Sequence, residues 1–259
     1  MIHSNSKVKD DESKSYLSNY KENQDHLIKY IQSRKEMSRQ QYFLHKLVQG
    51  LRWETSKGMQ IGDFGCGGGW QTYHLAGQFD ILGADLFDIH YKSLELAKGN
   101  LQSSNIECNF YHENIEEPKY IQKDKYDLGI SLMTLSWVNN PSIFLRNMLN
   151  SIKSNGYLIL STLVNRNHPD VDLEVIQRDN KLGLEKKCTI FGESTIREYL
   201  TKSEIKCSQE FHEFNIDIDL EIPEEKGTGT YTMKLENGVN LEISGGALFP
   251  WSFIVIKKN

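Results

Sequence analysis

One stretch of the chain concentrates residues able to do chemistry: Ile61-Gly62-Asp63-Phe64-Gly65-Cys66-Gly67-Gly68-Gly69, an acidic residue two positions ahead of alternating glycines. Glycines at such spacing let a backbone turn sharply and approach a ligand more closely than a Cβ allows, so the run is a candidate cradle for a nucleoside. A second carboxylate, Asp85, ends the next strand candidate, where it can accept hydrogen bonds from both hydroxyls of a ribose. Each feature alone also has a plainer reading, a strand-to-helix turn and a solvated aspartate. Their order along the chain argues for a site.

The spacing discriminates between ligands. A dinucleotide fingerprint requires Gly-x-Gly-x-x-Gly, so that the helix packs against the strand and its N-terminus meets a pyrophosphate. Counting from Gly65 puts Trp70 at the last glycine position, counting from Gly62 puts Phe64 at the second, and counting from Gly67 puts Thr72 at the last. No register completes the pattern. A ligand bearing an ammonium group instead of phosphates would gain from a carboxylate at the start of the loop, and Asp63 is placed to supply it directly or through water.

The surrounding elements must position these groups. Gln60 to Phe64 reads as a strand running into the glycines, and Trp70 to Leu75 as the opening of a helix. Strand candidates at Asp80 to Ala84, Cys108 to Tyr111, Tyr126 to Leu132 and Tyr157 to Thr162 alternate with helices at Tyr91 to Asn100 and Ser142 to Ile152. That alternation predicts an α/β fold, a doubly wound and mostly parallel sheet with helices on both faces. Residues 1 to 12 read as a mobile polar arm, and the span from Tyr16 to Leu51 as two helices forming an N-terminal cap. After a looser stretch at Asn165 to Asp172 come a helix near Thr195 to Thr201 and strands at Gln209 to Ile218, Gly229 to Leu235, Val239 to Ser244 and Trp251 to Lys257. Asn237-Gly238 marks an additional C-terminal β-hairpin. No linker splits residues 13–259, which are read as one domain with a cap at 13–55, a core at 58–163 and an acceptor side at 164–259.

Composition sets outer bounds. The chain has 259 residues, 38% of them hydrophobic, and a formal charge of -5. A core of normal size is available, and the acidic balance speaks against a nucleic-acid partner, which needs a basic footprint. No apolar run reaches the roughly 18 residues of a membrane span, and the first residues have no signal-peptide core, so a cytoplasmic protein without a membrane partner is expected. Four cysteines, at 66, 108, 188 and 207, include no Cys-x-x-Cys pair, and no histidine stands at metal-ligand spacing; reduced thiols and no metal are expected.

Asp63-Phe64-Gly65-Cys66-Gly67-Gly68-Gly69, Asp85 and the block Tyr126 to Val138 together resemble the class I S-adenosylmethionine-dependent methyltransferases, over residues 58–163. The resemblance implies a Rossmann-like fold, S-adenosyl-L-methionine as cofactor and a small-molecule branch of the family. Carried over position by position, it implies that Asp63, Gly65, Cys66 and Gly67 meet the methionine part and that Asp85 and Leu86 hold the ribose. Asn114 and Ile115 would meet the adenine, with Glu113 an alternative to Asn114, and Ser131, Leu132 and Met133 would line the cofactor near its methyl group. Tyr20, on the helical cap, would close over both cofactor and acceptor, with His26 nearby.

Transfer of a methyl group from a sulfonium is an in-line displacement, in which the protein chiefly aligns and desolvates the reactants. A base is needed only where the acceptor keeps a proton at neutral pH. Ligands of such sheets gather beyond the carboxyl ends of the strands, which brings Thr134, Ser136 and Trp137 and the turn Asn165 to His168 to the acceptor. His168 is the candidate base, its residue type being suited to proton transfer near neutrality. Tyr231 and Trp251 are candidates to cap the acceptor pocket from the C-terminal strands. No Asn-Pro-Pro-Tyr loop follows the fourth core strand and no Pro-Cys dipeptide occurs, which disfavours the DNA-methylating classes. A protein or peptide acceptor and a non-catalytic, cofactor-binding regulator stay open. A nicotinamide oxidoreductase would need Tyr-x-x-x-Lys after the fourth strand, whereas the pair Tyr42 and Lys46 precedes the glycines.

Overall fold

The computed structural model describes residues 1–4, 37–52, 58–179, 184–214, 230–238, 240–244 and 251–259. The chain runs through β1 (Ile2–Ser4), α1 (Arg39–Gly50), β2 (Met59–Phe64), α2 (Trp70–Ala76), β3 (Ile81–Asp88), α3 (Tyr91–Asn100), β4 (Glu107–His112) and β5 (Tyr126–Leu132). There follow a 3-10 turn (Leu135–Trp137), α4 (Pro141–Ser151), β6 (Ile152–Asn165), β7 (Leu173–Asp179), β8 (Leu184–Gly192), α5 (Glu193–Lys202), β9 (Cys207–Glu213), β10 (Thr230–Lys234), β11 (Asn240–Ser244) and β12 (Trp251–Lys258). The main sheet has the order β1-β4-β3-β2-β5-β6-β12-β9. Its first six strands are parallel, and β12 is antiparallel to both neighbours. The strand order reverses at β2, between β3 and β5, and in open α/β sheets ligands bind in the crevice that such a reversal leaves.

Both faces of the sheet are covered, so its strands read as continuous apolar runs such as Leu158-Ile159-Leu160. Ile159 belongs to the core with Leu44, Val48, Leu75 and Leu94 of α1 to α3, whereas Leu158 and Leu160 belong to the core with Phe144, Met148 and Leu200 of α4 and α5. One row of rings crosses four strands in register. Phe64 stacks on Phe87 (5.3 Å between centroids), Phe87 on Tyr111 (4.9 Å) and Tyr111 on His3 (5.1 Å).

Local chemistry fixes the helix ends near the crevice. Ser38 and Gln41 form a reciprocal capping box at the start of α1, and Asn140 accepts from the Ile143 N–H at the start of α4, with Pro141 in the first turn. Gln40 then ties α1 to the sheet by accepting from Ser161 Oγ (2.9 Å).

The alternation of strands and helices agrees with the sequence expectation, including the helix Tyr91–Asn100 and the strand Tyr126–Leu132 to the residue. The hairpin expected at Asn237-Gly238 forms between β10 and β11, with Gly238 at φ 81°. Three expectations need correction. The strand expected to stop at Ala84 continues to Asp88, pairing with β2 and β4 along its length. Residues 2–4, expected within a mobile arm, form β1 in parallel with β4. The stretch before α5 holds an antiparallel hairpin, β7 and β8, that the sequence reading passed over. The helix expected from Tyr16 lies outside the described residues.

Candidate active site

The turn after β2 shows why glycine is needed there. Gly65 has φ 77°, and a Cβ on it would overlap the Thr134 side chain. Gly67 has φ 52°, yet a Cβ on it would meet nothing within 4 Å among the described residues. The first glycine admits a neighbour; the second faces open space at the switch point. The Gly65 and Cys66 N–H groups donate to Phe87 O (2.8 and 3.0 Å), binding the loop to the end of β3.

Asp63 is fully buried. Its carboxyl accepts from Thr72 Oγ1 (2.6 Å) and Gln71 Nε2 (3.1 Å), both neutral donors. Burial pushes its pKa up to about 7; the two hydrogen bonds act against that rise and Asp88 adds to it. Among the described residues no cation is bonded to this carboxyl, and an incoming ammonium would stabilise its ionised form. Cys66 is also buried, its thiol pushed far up by burial and by Asp88 and Asp63, so it packs under the loop as a neutral thiol.

Asp85 is not at a strand end. It sits in the middle of β3, 1% exposed, where its carboxylate accepts from Lys125 Nζ (2.5 Å), Tyr126 Oη (2.7 Å) and Asn109 Nδ2 (3.1 Å). These donors, from β4, from β5 and from the residue just ahead of β5, occupy both oxygens, so nothing in this arrangement presents Asp85 to a ribose. Leu86, beside it, is likewise buried in the core below the loop. The residue at the strand end is Asp88. Its Oδ2 accepts from the Gly67 N–H (2.8 Å) and its Oδ1 from the His90 N–H (2.8 Å), placing a carboxylate against the open glycine. Sequence reasoning missed it, although the helix start at Tyr91 marked where the strand had to finish.

Beyond β4, the carboxylate of Glu113 accepts from the backbone N–H groups of Lys119 and Tyr120 and so folds the loop ahead of β5. Asn114 Oδ1 accepts from the Glu116 N–H (3.0 Å), and Ile115 is held through its carbonyl by Asn147 Nδ2 (2.8 Å). Of the two candidates for adenine, Glu113 thus accepts from two N–H groups inside the loop, whereas the Asn114 amide oxygen accepts from one and has a second lone pair.

At the end of β5, Ser131 Oγ donates to Phe64 O (2.7 Å), a buried link between β5 and the glycine turn. Leu132 is buried beside it. Met133 takes a left-handed φ of 59° while its N–H donates to Ser161 O (2.9 Å), turning the chain away from the sheet. Ser136 Oγ bonds Thr162 Oγ1 (2.8 Å) and accepts from the Leu163 N–H (3.3 Å), so this hydroxyl, expected to touch an acceptor, fastens the 3-10 turn after β5 to β6. Trp137 packs, half-buried, against the core.

After β6, Asn165 closes the next turn: its Oδ1 accepts from the His168 N–H (3.3 Å) and its Nδ2 donates to Val171 O (3.0 Å). His168 is exposed on this turn. Trp251 begins β12 at the same edge of the sheet, buried, with an indole N–H that has no hydrogen-bond partner among the described residues. Tyr20, His26 and the side chain of Tyr231 lie outside the described residues. The carboxyl edge thus brings together Asp63, the glycine turn, Asp88, Asn114, Met133, Asn165, His168 and Trp251, and leaves Asp85 and Leu86 below it.

Comparison with known proteins agrees with this geometry. Residues 55–213 match the model of a methyltransferase domain family. The chain is 31% identical over 191 residues to a ubiquinone biosynthesis O-methyltransferase of Rickettsia akari, covering 73% of this chain and 69% of the relative. It is 32% identical over 191 residues to the protein of the same name in Rickettsia felis, covering 73% and 70%. Among solved structures, a SAM-dependent methyltransferase of Leishmania major superposes with a TM-score of 0.56 at 16% identity, covering 97% of this chain and 79% of that one. The 1,6-didemethyltoxoflavin N1-methyltransferase of Burkholderia thailandensis, solved with S-adenosylhomocysteine, does so with a TM-score of 0.57 at 10% identity, covering 94% and 85%. The family match spans the crevice and its flanking strands, and the chain belongs to the class I S-adenosylmethionine-dependent methyltransferases.

Proposed function

We propose that the enzyme transfers the methyl group of S-adenosylmethionine to an oxygen of a small-molecule acceptor, with Asp88 in the ribose-binding role. The observation that carries the residue assignment is the carboxylate of Asp88 bonded to the N–H of a glycine that faces open space. Kinship with O-methyltransferases of ubiquinone biosynthesis supports an oxygen acceptor.

The cofactor supplies an electrophilic methyl on a sulfonium. The chain's own groups bind and orient. Asp63 receives the ammonium of the methionine part, the Gly65 to Gly67 turn lets the backbone approach, and Asp88 accepts from the ribose hydroxyls. Asn114 accepts from the adenine amino group. Met133 and Thr134, where β5 turns away from the sheet, border the reacting edge. An acceptor hydroxyl must lose its proton, and His168 is assigned that role as the titratable group on the turn after β6.

Calorimetric titration with S-adenosylhomocysteine tests the cofactor assignment. Asp88→Ala is expected to weaken binding at least tenfold, with only the modest fall in melting temperature that leaving the Gly67 and His90 N–H groups unpaired brings. Asp85→Asn, which disturbs a buried carboxylate and its lysine, is expected to act chiefly by lowering the melting temperature. Loss of affinity in Asp85→Asn with full affinity in Asp88→Ala would return the ribose role to Asp85. For His168→Gln, a fall in kcat with loss of the acidic limb of its pH dependence, where a base becomes protonated, supports the base, and an unchanged profile removes it.

A further inference from the structure

We propose that the acceptor carries an oxyanion, a carboxylate for a small organic molecule, and that Arg166 receives it. This rests on the methyltransferase reading of the same edge and names the acceptor class that the edge selects.

Arg166 follows the last residue of β6. Its guanidinium reaches back over the sheet: Nε donates to Ser252 Oγ (3.2 Å) at the start of β12, and Nη1 donates to Glu213 Oε1 (3.0 Å) at the end of β9. Since β12 is antiparallel to β6 and to β9, all three residues stand at the carboxyl edge of the sheet, where the acceptor enters. The third nitrogen, Nη2, is buried and has no hydrogen-bond partner among the described residues. A buried donor left unmade costs free energy, and a charged one costs more. Such a donor persists where a ligand completes it.

The setting favours an anion over a neutral oxygen. Glu213 is 46% exposed, so water screens its hold on the guanidinium, and the buried nitrogen gains most from a desolvated charge-assisted bond. The mount is stiff. Asn165 closes the turn that carries Arg166, Pro169 O accepts from Ser194 N–H (3.0 Å) and Oγ (2.8 Å), and Asp172 Oδ1 accepts from the Gly192 N–H (2.6 Å). A side chain held at two points on such a turn selects by position as well as by charge.

The experiment is calorimetry on the full chain saturated with S-adenosylhomocysteine, titrated with 4-hydroxybenzoate and with phenol, which differ by one carboxylate. The acid is expected to bind at least tenfold more tightly. Arg166→Gln should erase that preference while leaving the affinity for S-adenosylhomocysteine unchanged, and Ser252→Ala, which frees only Nε, should keep part of it. Melting curves on both variants control for folding. Equal affinities in the unaltered protein, no binding of the acid, or a preference that survives Arg166→Gln overturns the subsite. Failure to bind S-adenosylhomocysteine at all would instead overturn the cofactor assignment.

Discussion

Asp63 couples protonation to both folding and binding. Its carboxyl is fully buried among neutral donors and burial raises its pKa to about 7 from an ordinary 3.8. Between these values the folded protein holds a proton that the unfolded chain has released, so Asp63 favours the folded state below pH 4 and loses that contribution as pH rises through 7. The span is worth about 4 kcal/mol at 1.36 kcal/mol per pKa unit. Asp63→Asn is therefore expected to gain stability relative to the unaltered protein on going from pH 5 to pH 8, read from paired melting curves; parallel curves would refute it. An ammonium arriving beside this carboxyl favours its ionised form. Binding of S-adenosylhomocysteine at pH 6 should then release a proton, seen as a dependence of the calorimetric heat on the ionisation enthalpy of the buffer.

Elements were legible where their signals were local. Proline, the asparagine cap and apolar spacing set α4, and the glycine run set the turn after β2, so both could be read from a short window. The end of β3 could not. A lone aspartate inside an apolar run reads as a strand end, because a buried carboxylate is costly until it is paired. The donors that pair Asp85 are Asn109, Lys125 and Tyr126, two strands' worth of sequence away, and no window around Asp85 contains them. The same distance hides β7 and β8, whose register becomes meaningful only once β8 lies beside β6. Lys258 is a further case. This buried lysine on β12 donates to the carbonyls of Leu149 (3.1 Å) and Ile152 (2.6 Å) at the end of α4, and to Asp124 (2.7 Å). A cation there serves orphan carbonyls and the negative end of the helix. Lys258→Met should cost about 2 to 3 kcal/mol, leaving those groups buried and unpaired. The melting temperature should fall by roughly 5 to 10 °C, at about 2 to 4 °C per kcal/mol for a chain of this size, while affinity for S-adenosylhomocysteine stays as it was.

At the scale of the molecule, the sheet makes the N-terminal strand part of the cofactor side. β1 pairs with β4, His3 ends the row of rings that begins at Phe64, the last residue of β2 before the glycine turn, and Tyr120 Oη donates to Ser4 O (3.0 Å). Tyr120 also bonds through its own N–H to Glu113, the residue before Asn114. A segment of three residues, Ile2 to Ser4, therefore braces the loop proposed to meet adenine, although the sequence reads there as an arm. The contacts at stake include the hydrogen bond to the Ser4 carbonyl, worth about 1 kcal/mol, and the stack of His3 on Tyr111, worth about 1 kcal/mol, beside the pairing of β1 with β4 and the tilted contact of His3 with Tyr120. Removal of residues 1–4 is expected to lower stability by at least about 2 kcal/mol and to speed amide exchange in β4 and the loop after it, with α4 unaffected. Affinity for S-adenosylhomocysteine should fall severalfold, and Tyr120→Phe should reproduce part of that fall without removing the strand. If the truncated chain exchanges faster throughout, β1 supports the sheet as a whole; if exchange and affinity are both unchanged, the brace does not exist. Local acceleration together with weaker binding would show that the first strand acts on the site through a loop more than a hundred residues away in sequence.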